Sequence, residues 1–377
     1  MKMRKILFIT SSRADYGTLR NVILETQKRN KETYLLVTGS HLSSEFGNTI
    51  KEIKKDRIKK IIKKKILNKK FKDAKIDSYI AESVKITTDV ISKKRPDVVV
   101  ILGDRYELLG CAIAAMVSRV PIAHIHGGEV TAGAFDDSIR HSITKLSHLH
   151  FPCHEKYKQR LIQLGENPKS IFNYGSLGAH AISKLQFIKK KDIEKILKIK
   201  FEKKIILVTF HPVTLEKYMA EFHIKNLINF LNKLENITII FTSPNFDNER
   251  NILKREIFNF VKKKNNVYFF HSLGSKLYLS LMKISYMVIG NSSSGVLETP
   301  SFGTRTINIG NRQKGRILSD NIVNCDYDYK SINKAYLKLA KIYKKTSNPF
   351  FKKNTSINIA QKILNFKFNI KKNFYDI

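Results

Sequence analysis

The sequence contains no tryptophan, only three cysteines and no apolar run of the length that spans a membrane. Cys111, Cys153 and Cys325 lie far apart along the chain, so they match neither a disulfide framework nor a zinc site. The first residues, Met1–Arg4, lead directly into a short apolar strand and lack the apolar region and cleavage site of a signal peptide. These absences lead us to expect a cytoplasmic protein without a membrane span.

Acidic residues are also scarce, because 32 Asp and Glu stand against 69 Lys and Arg, which gives a net charge of +37. Such an excess is common in nucleic-acid-binding proteins. The lysines concentrate in segments 51–72, 189–204 and the C-terminal tail, which are also rich in isoleucine and asparagine. These segments lack zinc-finger spacing and RNP-type motifs. We therefore expect solvated lysine faces and no nucleic-acid partner, and a patch for polyanions or membrane surfaces is the alternative.

What the sequence does contain is a repeated alternation of short apolar runs with amphipathic helical patterns, which predicts parallel β-sheets. A length of 377 residues suits two domains. The predicted strands are Lys5–Thr10, Tyr34–Thr38, Asp97–Leu102, Pro121–Ile125, His150–Cys153, Ile171–Tyr174, Ile205–Phe210, Ile237–Thr242, Val267–Phe270, Tyr286–Ile289, Thr306–Ile309 and Ile322–Cys325. The pattern predicts an α/β protein with two doubly wound domains facing across a cleft, over residues 1–180 and 181–355. A basic linker or covering helix is expected over 185–204, and a C-terminal helix within 356–377 should pack back across the domain boundary.

The stretch Ile289–Glu298 has the composition of an anion-binding turn. An apolar strand ends at Gly290, an asparagine and three serines follow, and helix-compatible residues resume after Gly295. Backbone N–H groups at a helix start favour phosphate, and Glu298 is placed to accept hydrogen bonds from a ribose. A serine-rich turn that only caps a helix is the alternative interpretation.

Four arginines follow predicted strand ends in a chain that otherwise prefers lysine: Arg13, Arg105, Arg312 and Arg316. Guanidinium groups bind phosphate oxygens in a bidentate manner, which lysine cannot do. The chain has no GxGxxG motif after its first strand and no P-loop motif. The arginines therefore indicate anion recognition by loops at the carboxyl ends of the strands, where ligands of open α/β sheets bind.

Candidates for acid–base chemistry also lie in these loops. They are Asp104, His126, Glu129, Asp136, Asp137, His141 and His211. A strand-end aspartate such as Asp104 is often only a helix cap. The spacing of His124, His126 and His141 matches no familiar metal site, so we do not expect a metal.

A set of short motifs between about residues 4 and 365, taken together and in order, resembles the hydrolysing UDP-N-acetylglucosamine 2-epimerases of bacterial sialic-acid pathways. The motifs are Arg13-Ala14-Asp15-Tyr16, Gly39-Ser40-His41-Leu42, Gly47-Asn48-Thr49, Gly103-Asp104-Arg105, His126-Gly127-Gly128-Glu129, Asp136-Asp137-Ser138-Ile139-Arg140-His141, His211-Pro212-Val213-Thr214, Gly290–Gly295 and Arg312-Gln313-Lys314-Gly315-Arg316.

The resemblance implies two Rossmann-like domains in a GT-B-like arrangement, with the nucleotide in the cleft and no cofactor. It implies that UDP is held by Arg13, Arg105, His211, Ser292, Ser293, Ser294, Gly295 and Glu298, with Arg312 or Arg316 closing over the diphosphate. Asn245 and Asp247 fall where the family contacts nucleotide or sugar. A homo-oligomer, either a dimer or a tetramer, is expected.

Asp104 and Asp136 match catalytic carboxylates of that family. Many relatives read His-Ile-Glu-Gly-Gly, but the middle position here is His126. Either this imidazole or the neighbouring Glu129 takes the role of the missing glutamate.

The implied reaction converts UDP-N-acetylglucosamine and water to N-acetylmannosamine and UDP through a 2-acetamidoglucal. His211 would stabilise the leaving diphosphate. The alternatives are the same chemistry on GDP-N-acetylglucosamine or on a UDP-linked 2,4-diacetamido sugar, a non-hydrolysing epimerase, a GT-B glycosyltransferase and a polyanion-binding protein.

Overall fold

The computed structural model describes residues 3–43, 48–66, 76–131, 135–213, 216, 218–244, 249–341 and 346–377. The strands are β1 (Ile6–Thr10), β2 (Thr33–Val37), β3 (Lys60–Lys63), β4 (Val98–Leu102), β5 (Ile122–Ile125), β6 (Leu149–Phe151), β7 (Lys204–Thr209), β8 (Ile237–Thr242), β9 (Val267–Phe270), β10 (Met287–Gly290), β11 (Arg305–Ile309) and β12 (Ile322–Cys325). The helices of the first half are α1 (Arg13–Arg29), α2 (Ile50–Lys55), α3 (Ile76–Lys94), α4 (Tyr106–Val117), α5 (Asp136–Leu146), α6 (Glu155–Gln163) and α7 (Leu177–Ser183). Those of the second half are α8 (Lys190–Leu197), α9 (Ala220–Asn232), α10 (Arg250–Lys262), α11 (Ser275–Ile284), α12 (Ser294–Leu297), α13 (Tyr329–Lys341) and α14 (Thr355–Asn365).

The chain forms two compact units. The first comprises Met1–Glu129, Asp136–Ala181 and Lys352–Ile377, and the second comprises Val130–Phe135 and Ile182–Phe351. The domain boundaries drawn from the sequence stay predictions. Among the described residues, no helix combines the length and the hydropathy that a bilayer crossing requires.

Each unit is built on a six-stranded parallel sheet with the same strand order. In the first unit the order is β3-β2-β1-β4-β5-β6, and in the second it is β9-β8-β7-β10-β11-β12. Both match the Rossmann order, in which the chain reverses direction across the sheet between the first and fourth strands. The predicted α/β class with two doubly wound, Rossmann-like domains is therefore confirmed. The two reversal points lie between β1 and β4 and between β7 and β10.

The central strands are continuous apolar runs because helices cover both faces of each sheet. In β1 the residues Ile6 to Ile9 are completely buried, and so are Val98 to Ile101 in β4. A strand that is buried on both faces cannot carry polar side chains along its length. Polar residues are therefore displaced to the loops that follow the strands.

Two local predictions were wrong. Ile171–Tyr174 forms no strand. Of these residues, Ile171 alone makes an isolated β-bridge, which joins it to His150 of the edge strand β6. Conversely, β3 arises from a lysine-rich segment in which no strand was predicted. It is an edge strand with only one neighbour, β2, and lysines at such an edge discourage pairing with other chains.

The C-terminal helix α14 packs on α1 in the first unit. Ile359, Ala360 and Ile363 are completely buried in the same core cluster as Leu19 and Ile23 of α1. Helix α14 therefore closes the core that supports the first strand, β1. Through β1 it also supports the loops at the carboxyl end of that sheet.

Replacing Ile359 by alanine should lower the free energy of unfolding by about 2–5 kcal/mol, because the change leaves a cavity in a closed core. Urea unfolding followed by circular dichroism measures the loss. Ile370→Ala removes the same atoms from a side chain that is 58% exposed and should cost less than about 1 kcal/mol. Equal losses for the two variants would show that α14 does not close this core.

Candidate active site

In the first unit, three loops with polar residues lie at the carboxyl ends of strands around the reversal point. Ser11 to Arg13 follow β1, Gly103 to Arg105 follow β4, and His126 to Glu129 follow β5. Because the strands are parallel, all three loops leave the same edge of the sheet. The fold thus brings four of the predicted site residues to one edge of the sheet: Asp104, Arg105, His126 and Glu129.

A buried guanidinium, that of Arg140 on α5, connects two of these loops. Its Nη2 forms an ion pair with Asp104, and its Nη1 donates to the backbone oxygen of Glu129 at 3.0 Å and to Asp137 Oδ1 at 3.2 Å. Only 2% of the Arg140 side chain is exposed, against 28% for Asp104. Burial alone would lower the pKa of Arg140, but the carboxylates of Asp104 and Glu129 outweigh burial and raise it. The arginine therefore stays charged and holds Asp104 in place.

His124, inside β5, fixes the backbone just before Asp104. Its Nε2 lies 2.8 Å from the oxygen of Gly103, and its Nδ1 lies 3.2 Å from Thr144 Oγ1 on α5. Complete burial lowers the pKa of His124 to about 3, so the ring is neutral. A neutral ring with a carbonyl at Nε2 donates from Nε2 and accepts the hydroxyl proton at Nδ1. His124 is therefore a structural residue.

His126, Glu129 and Cys153 form a second cluster at the same edge. His126 Nδ1 lies 3.0 Å from Glu129 Oε1, and Cys153 Sγ lies 3.4 Å from the same oxygen. Only 4% of the Glu129 side chain and 13% of the His126 side chain are exposed. The ligand atoms of the three residues lie within 4.8 Å of one another, which is the one grouping of this kind within the described ranges that suits a metal ion.

The two arginines of the first unit that were predicted to contact phosphate face carboxylates of their own unit. Arg13 is the first residue of α1, and its Nη2 lies 3.3 Å from Glu52 Oε1. Arg105 binds Glu107 through Nε at 3.1 Å and Nη2 at 2.8 Å. Burial lowers the pKa of Arg105, but Glu107 and Asp15 raise it by more. A ligand phosphate would therefore share Arg105 with Glu107.

The remaining polar candidates of this unit lie on α5. Asp136 and Asp137 occupy the first turn of the helix, where carboxylates are favoured by the helix dipole. Asp137 pairs with His141, with Oδ2 and Nε2 3.4 Å apart. Asp136 is therefore presented by the helix that also carries Arg140.

In the second unit, the side chain of Asn291 joins the ends of β7 and β10. Its Oδ1 accepts from the backbone N–H of His211 at 2.7 Å, and its Nδ2 donates to the oxygen of His211 at 2.8 Å. Gly290 precedes it with φ +148°, and a Cβ there would lie 2.0 Å from the oxygen of Thr209. Only glycine allows β10 to pass so close to β7. The amide pair then sets where His211 leaves the strand.

His211 is buried and carries no charge. Burial and the nearby positive charge of Arg312 lower its pKa well below the ordinary histidine value. Arg312 Nη1 donates to the backbone oxygen of Asn291 at 3.2 Å, and Gln313 Nε2 donates to the same oxygen at 2.9 Å. The loop 311–316 is thereby attached to the turn that follows β10.

The serine turn differs from expectation in the length of its helix. Helix α12, Ser294–Leu297, has four residues, so its dipole is much weaker than that of a full helix. Ser294 Oγ donates to the carboxylate of Glu298, and burial raises the pKa of Glu298. Ser292 and Ser293 precede Ser294 in the turn, and Gly295 follows it. The backbone N–H groups of Ser294 and Gly295 already donate to Ser292, at 3.3 Å to Oγ and 3.1 Å to the backbone oxygen. The turn therefore offers hydroxyls more than backbone N–H groups or a helix dipole.

Arg316 contacts the segment of the chain that follows Glu129, since its Nη2 lies 3.3 Å from Thr131 Oγ1, within the second unit. Asn245 and Asp247, which were predicted to contact nucleotide or sugar, lie outside the described residues.

Sequence reasoning missed the residues that position the others: Arg140, His124, Asn291 and Gln313. Each stands inside or beside a motif that was recognised, but nothing in a single sequence marks a polar residue as buried. The signal for Arg140 was its place one helical turn after Asp136, which puts both on one face of α5.

Comparison with known proteins gives consistent results. A family model described as UDP-N-acetylglucosamine 2-epimerase matches residues 24–364. The chain is 43% identical to a GDP/UDP-N,N'-diacetylbacillosamine 2-epimerase (hydrolyzing) from Campylobacter jejuni, over 90% of this chain and 88% of that protein. It is 38% identical to the polysialic acid biosynthesis protein P7 of Escherichia coli, over 100% of this chain and 98% of that protein. A solved UDP-GlcNAc 2-epimerase from Neisseria meningitidis bound to UDP-GlcNAc aligns with a TM-score of 0.78 and 19% identity, over 95% and 99% of the two chains, which confirms the GT-B-like fold class.

Removing the buried cation should destabilise the first unit. We expect Arg140→Leu to lower the free energy of unfolding by about 3–5 kcal/mol, because Asp104 and the Glu129 carbonyl lose their partner in a buried site. Arg20→Leu removes a more exposed pair with Asp56 and should cost less than about 1 kcal/mol. Urea unfolding of both variants measures the difference, and an Arg140→Leu protein as stable as Arg20→Leu would contradict this account.

Proposed function

The chain belongs to the UDP-N-acetylglucosamine 2-epimerase family, and on that premise we propose that it is a hydrolysing 2-epimerase of a nucleotide-linked 2-acetamido sugar. The observation that carries the proposal is the grouping of Asp104, His126 and Glu129 at the carboxyl edge of the first sheet, in the loops after β4 and β5. A site with a carboxylate held by a buried arginine and a second carboxylate bonded to an imidazole is suited to proton transfer.

The chemistry requires several groups. A base removes the proton from C2 of the sugar while the nucleoside diphosphate leaves C1, which gives a 2-acetamidoglucal. Water then adds to C1, and a proton is delivered to the opposite face of C2. Two faces of one carbon require at least two proton-transfer groups, and Asp104, Asp136, His126 and Glu129 are the candidates. No step requires a metal or a redox cofactor.

The second unit is proposed to bind the nucleotide. The diphosphate gains negative charge as it leaves, so stabilising groups act where that charge develops. Arg312 and Arg316 supply positive charge, and the turn formed by Ser292, Ser293, Ser294 and Gly295 supplies hydroxyl donors. His211, being neutral, contributes a hydrogen bond rather than a charge. Glu298 is proposed to contact the ribose.

UDP-N-acetylglucosamine, with N-acetylmannosamine as product, is the first candidate substrate. It is supported by the motifs of the chain and by the 38% identity over its whole length to a protein of polysialic acid biosynthesis. A diacetamido sugar is the second candidate, because a relative that is 43% identical is named for N,N'-diacetylbacillosamine linked to GDP or UDP. Both sugars carry the 2-acetamido group, so the C2 chemistry is the same.

Incubation with UDP- and GDP-linked N-acetylglucosamine and the corresponding diacetamido sugars, with products followed by NMR, tests the proposal. We expect release of the nucleoside diphosphate together with the free 2-epimerised sugar and no requirement for an acceptor. Recovery of the epimerised sugar still linked to nucleotide would indicate a non-hydrolysing epimerase. Turnover only with an acceptor would indicate a glycosyltransferase, and either result would contradict the proposal.

Asp104→Asn should lower kcat by roughly 10²–10⁴-fold if this carboxylate handles a proton. The matched control is Asp137→Asn, because Asp137 binds the same guanidinium and has the same 28% side-chain exposure. The control loses charge beside Arg140 but should reduce kcat by less than about tenfold. Equal activity of the two variants, with circular dichroism showing both folded, would make Asp104 a structural partner of Arg140.

A further inference from the structure

The backbone at His126 adopts a conformation that histidine rarely takes. Its φ is +66°, in the left-handed region, while its backbone N–H still donates to the oxygen of Phe151 at 2.9 Å. Such a conformation in a non-glycine residue is strained, and it persists only where the surrounding structure imposes it. Two residues later, Gly128 has a φ of +79°, and a Cβ at this position would lie only 2.5 Å from the backbone oxygen of Tyr157. The loop therefore holds His126 in a strained position.

The left-handed backbone of His126 places its ring in contact with the carboxylate of Glu129. His126 Nδ1 lies 3.0 Å from Glu129 Oε1, and a carboxylate in this position accepts a hydrogen bond from the N–H of Nδ1. Cys153 Sγ, 3.4 Å from the same oxygen, adds a second donor. Glu129 is thus buried behind the imidazole and engaged by donors. Its geometry suits orientation of the ring better than direct contact with a substrate.

The other ring nitrogen is placed differently. Nε2 of His126 is buried and makes no hydrogen bond to any residue within the described ranges. With the proton on Nδ1 facing Glu129, the lone pair of the neutral ring lies on Nε2. A buried polar atom without a partner has a free-energy cost and calls for an explanation, and a catalytic role is one such explanation.

From this geometry we propose that His126 and Glu129 act as a pair, in which Glu129 orients the ring and His126 Nε2 takes the proton from C2 of the sugar. The inference rests on the proposed function and assigns the role of the glutamate that many relatives carry at this position. The lone pair of Nε2 takes the C2 proton, and the electrons of the C2–H bond form the C1–C2 double bond. The C1–O bond breaks, and its electron pair leaves with the diphosphate. Glu129 stays ionised and stabilises the imidazolium, which then returns its proton to water.

A metal ion held by the same three side chains is the competing arrangement, since their ligand atoms lie within 4.8 Å of one another. A bound cation would take the place of the Nδ1 proton and would require a thiolate at Cys153. Metal analysis of the purified protein with and without added Zn²⁺, together with turnover after chelation, separates the two. Stoichiometric zinc whose removal abolishes turnover would overturn the proposal.

The decisive variant is His126→Gly, because glycine accepts the left-handed backbone and leaves space for a free imidazole. We expect kcat to fall by roughly 10²–10⁴-fold with little change in KM, and added imidazole to restore part of it. His126→Asn is the second variant, because asparagine tolerates positive φ and can still donate to Glu129 but offers no base. It should be as inactive as His126→Gly without imidazole. His148→Gly, just before β6 at the amino-terminal edge of the same sheet, should keep kcat within about twofold of the native protein.

The double variant tests whether His126 and Glu129 act as a pair. Glu129→Gln should lower kcat by roughly 10- to 100-fold in the native background and have almost no effect in the His126→Gly background, because the two residues act as a unit. If Glu129→Gln costs the same in both backgrounds, or if His126→Gly is nearly as active as the native protein, the pair is refuted while the epimerase function stands. If the native protein turns over no nucleotide sugar at all, the proposed function fails and the pair falls with it.

Discussion

The first unit depends on one buried charge, the guanidinium of Arg140. Taking an arginine out of water costs several kcal/mol unless every donor finds an acceptor. Asp104, Asp137 and the carbonyl of Glu129 accept from the two terminal nitrogens of the guanidinium, and they belong to a strand-end loop, to α5 and to the loop that follows β5. The guanidinium therefore cannot be satisfied unless these segments take one particular arrangement. That requirement places Asp104 and the His126–Glu129 loop relative to each other.

The two units hold their strand-end loops in place with different side chains. Each has a Rossmann strand order, and in each a side chain joins loops at the carboxyl edge of the sheet, after β4 and β5 in the first unit and after β7 and β10 in the second. The first unit uses a charged hub, Arg140, among carboxylates. The second uses the neutral amide of Asn291, which binds the backbone of His211 and whose own carbonyl receives Arg312 and Gln313. A neutral hub suits a unit proposed to bind an anion, because the Asn291 side chain itself adds no negative charge there.

Strain and burial coincide at His126. Its left-handed backbone, its half-buried ring and the buried carboxylate behind the ring are all unfavourable in isolation. Each is offset by something nearby: the ladder hydrogen bond to Phe151, the donors that engage Glu129 and the glycines that let the chain turn. The excess of lysine has a structural use elsewhere in the first unit. An example is Lys372, whose Nζ donates to the carbonyls of Lys145 and Ser147 at the end of α5.

The sequence by itself determined the fold class and most of the strands, because burial on both faces of a parallel sheet leaves an unmistakable apolar run and displaces polar residues to the strand ends. It also indicated which loops carry chemistry, and its ordered motifs pointed to the family. It did not reveal β3, whose lysines hide an edge strand, nor the partners inside the site. Asp104 and Arg140 are 36 residues apart, Glu129 and Cys153 are 24 apart, and His211 and Asn291 are 80 apart. Only the tertiary structure decided these pairings, because a hydrogen bond depends on where two loops leave the sheet, and a single sequence carries no record of that distance.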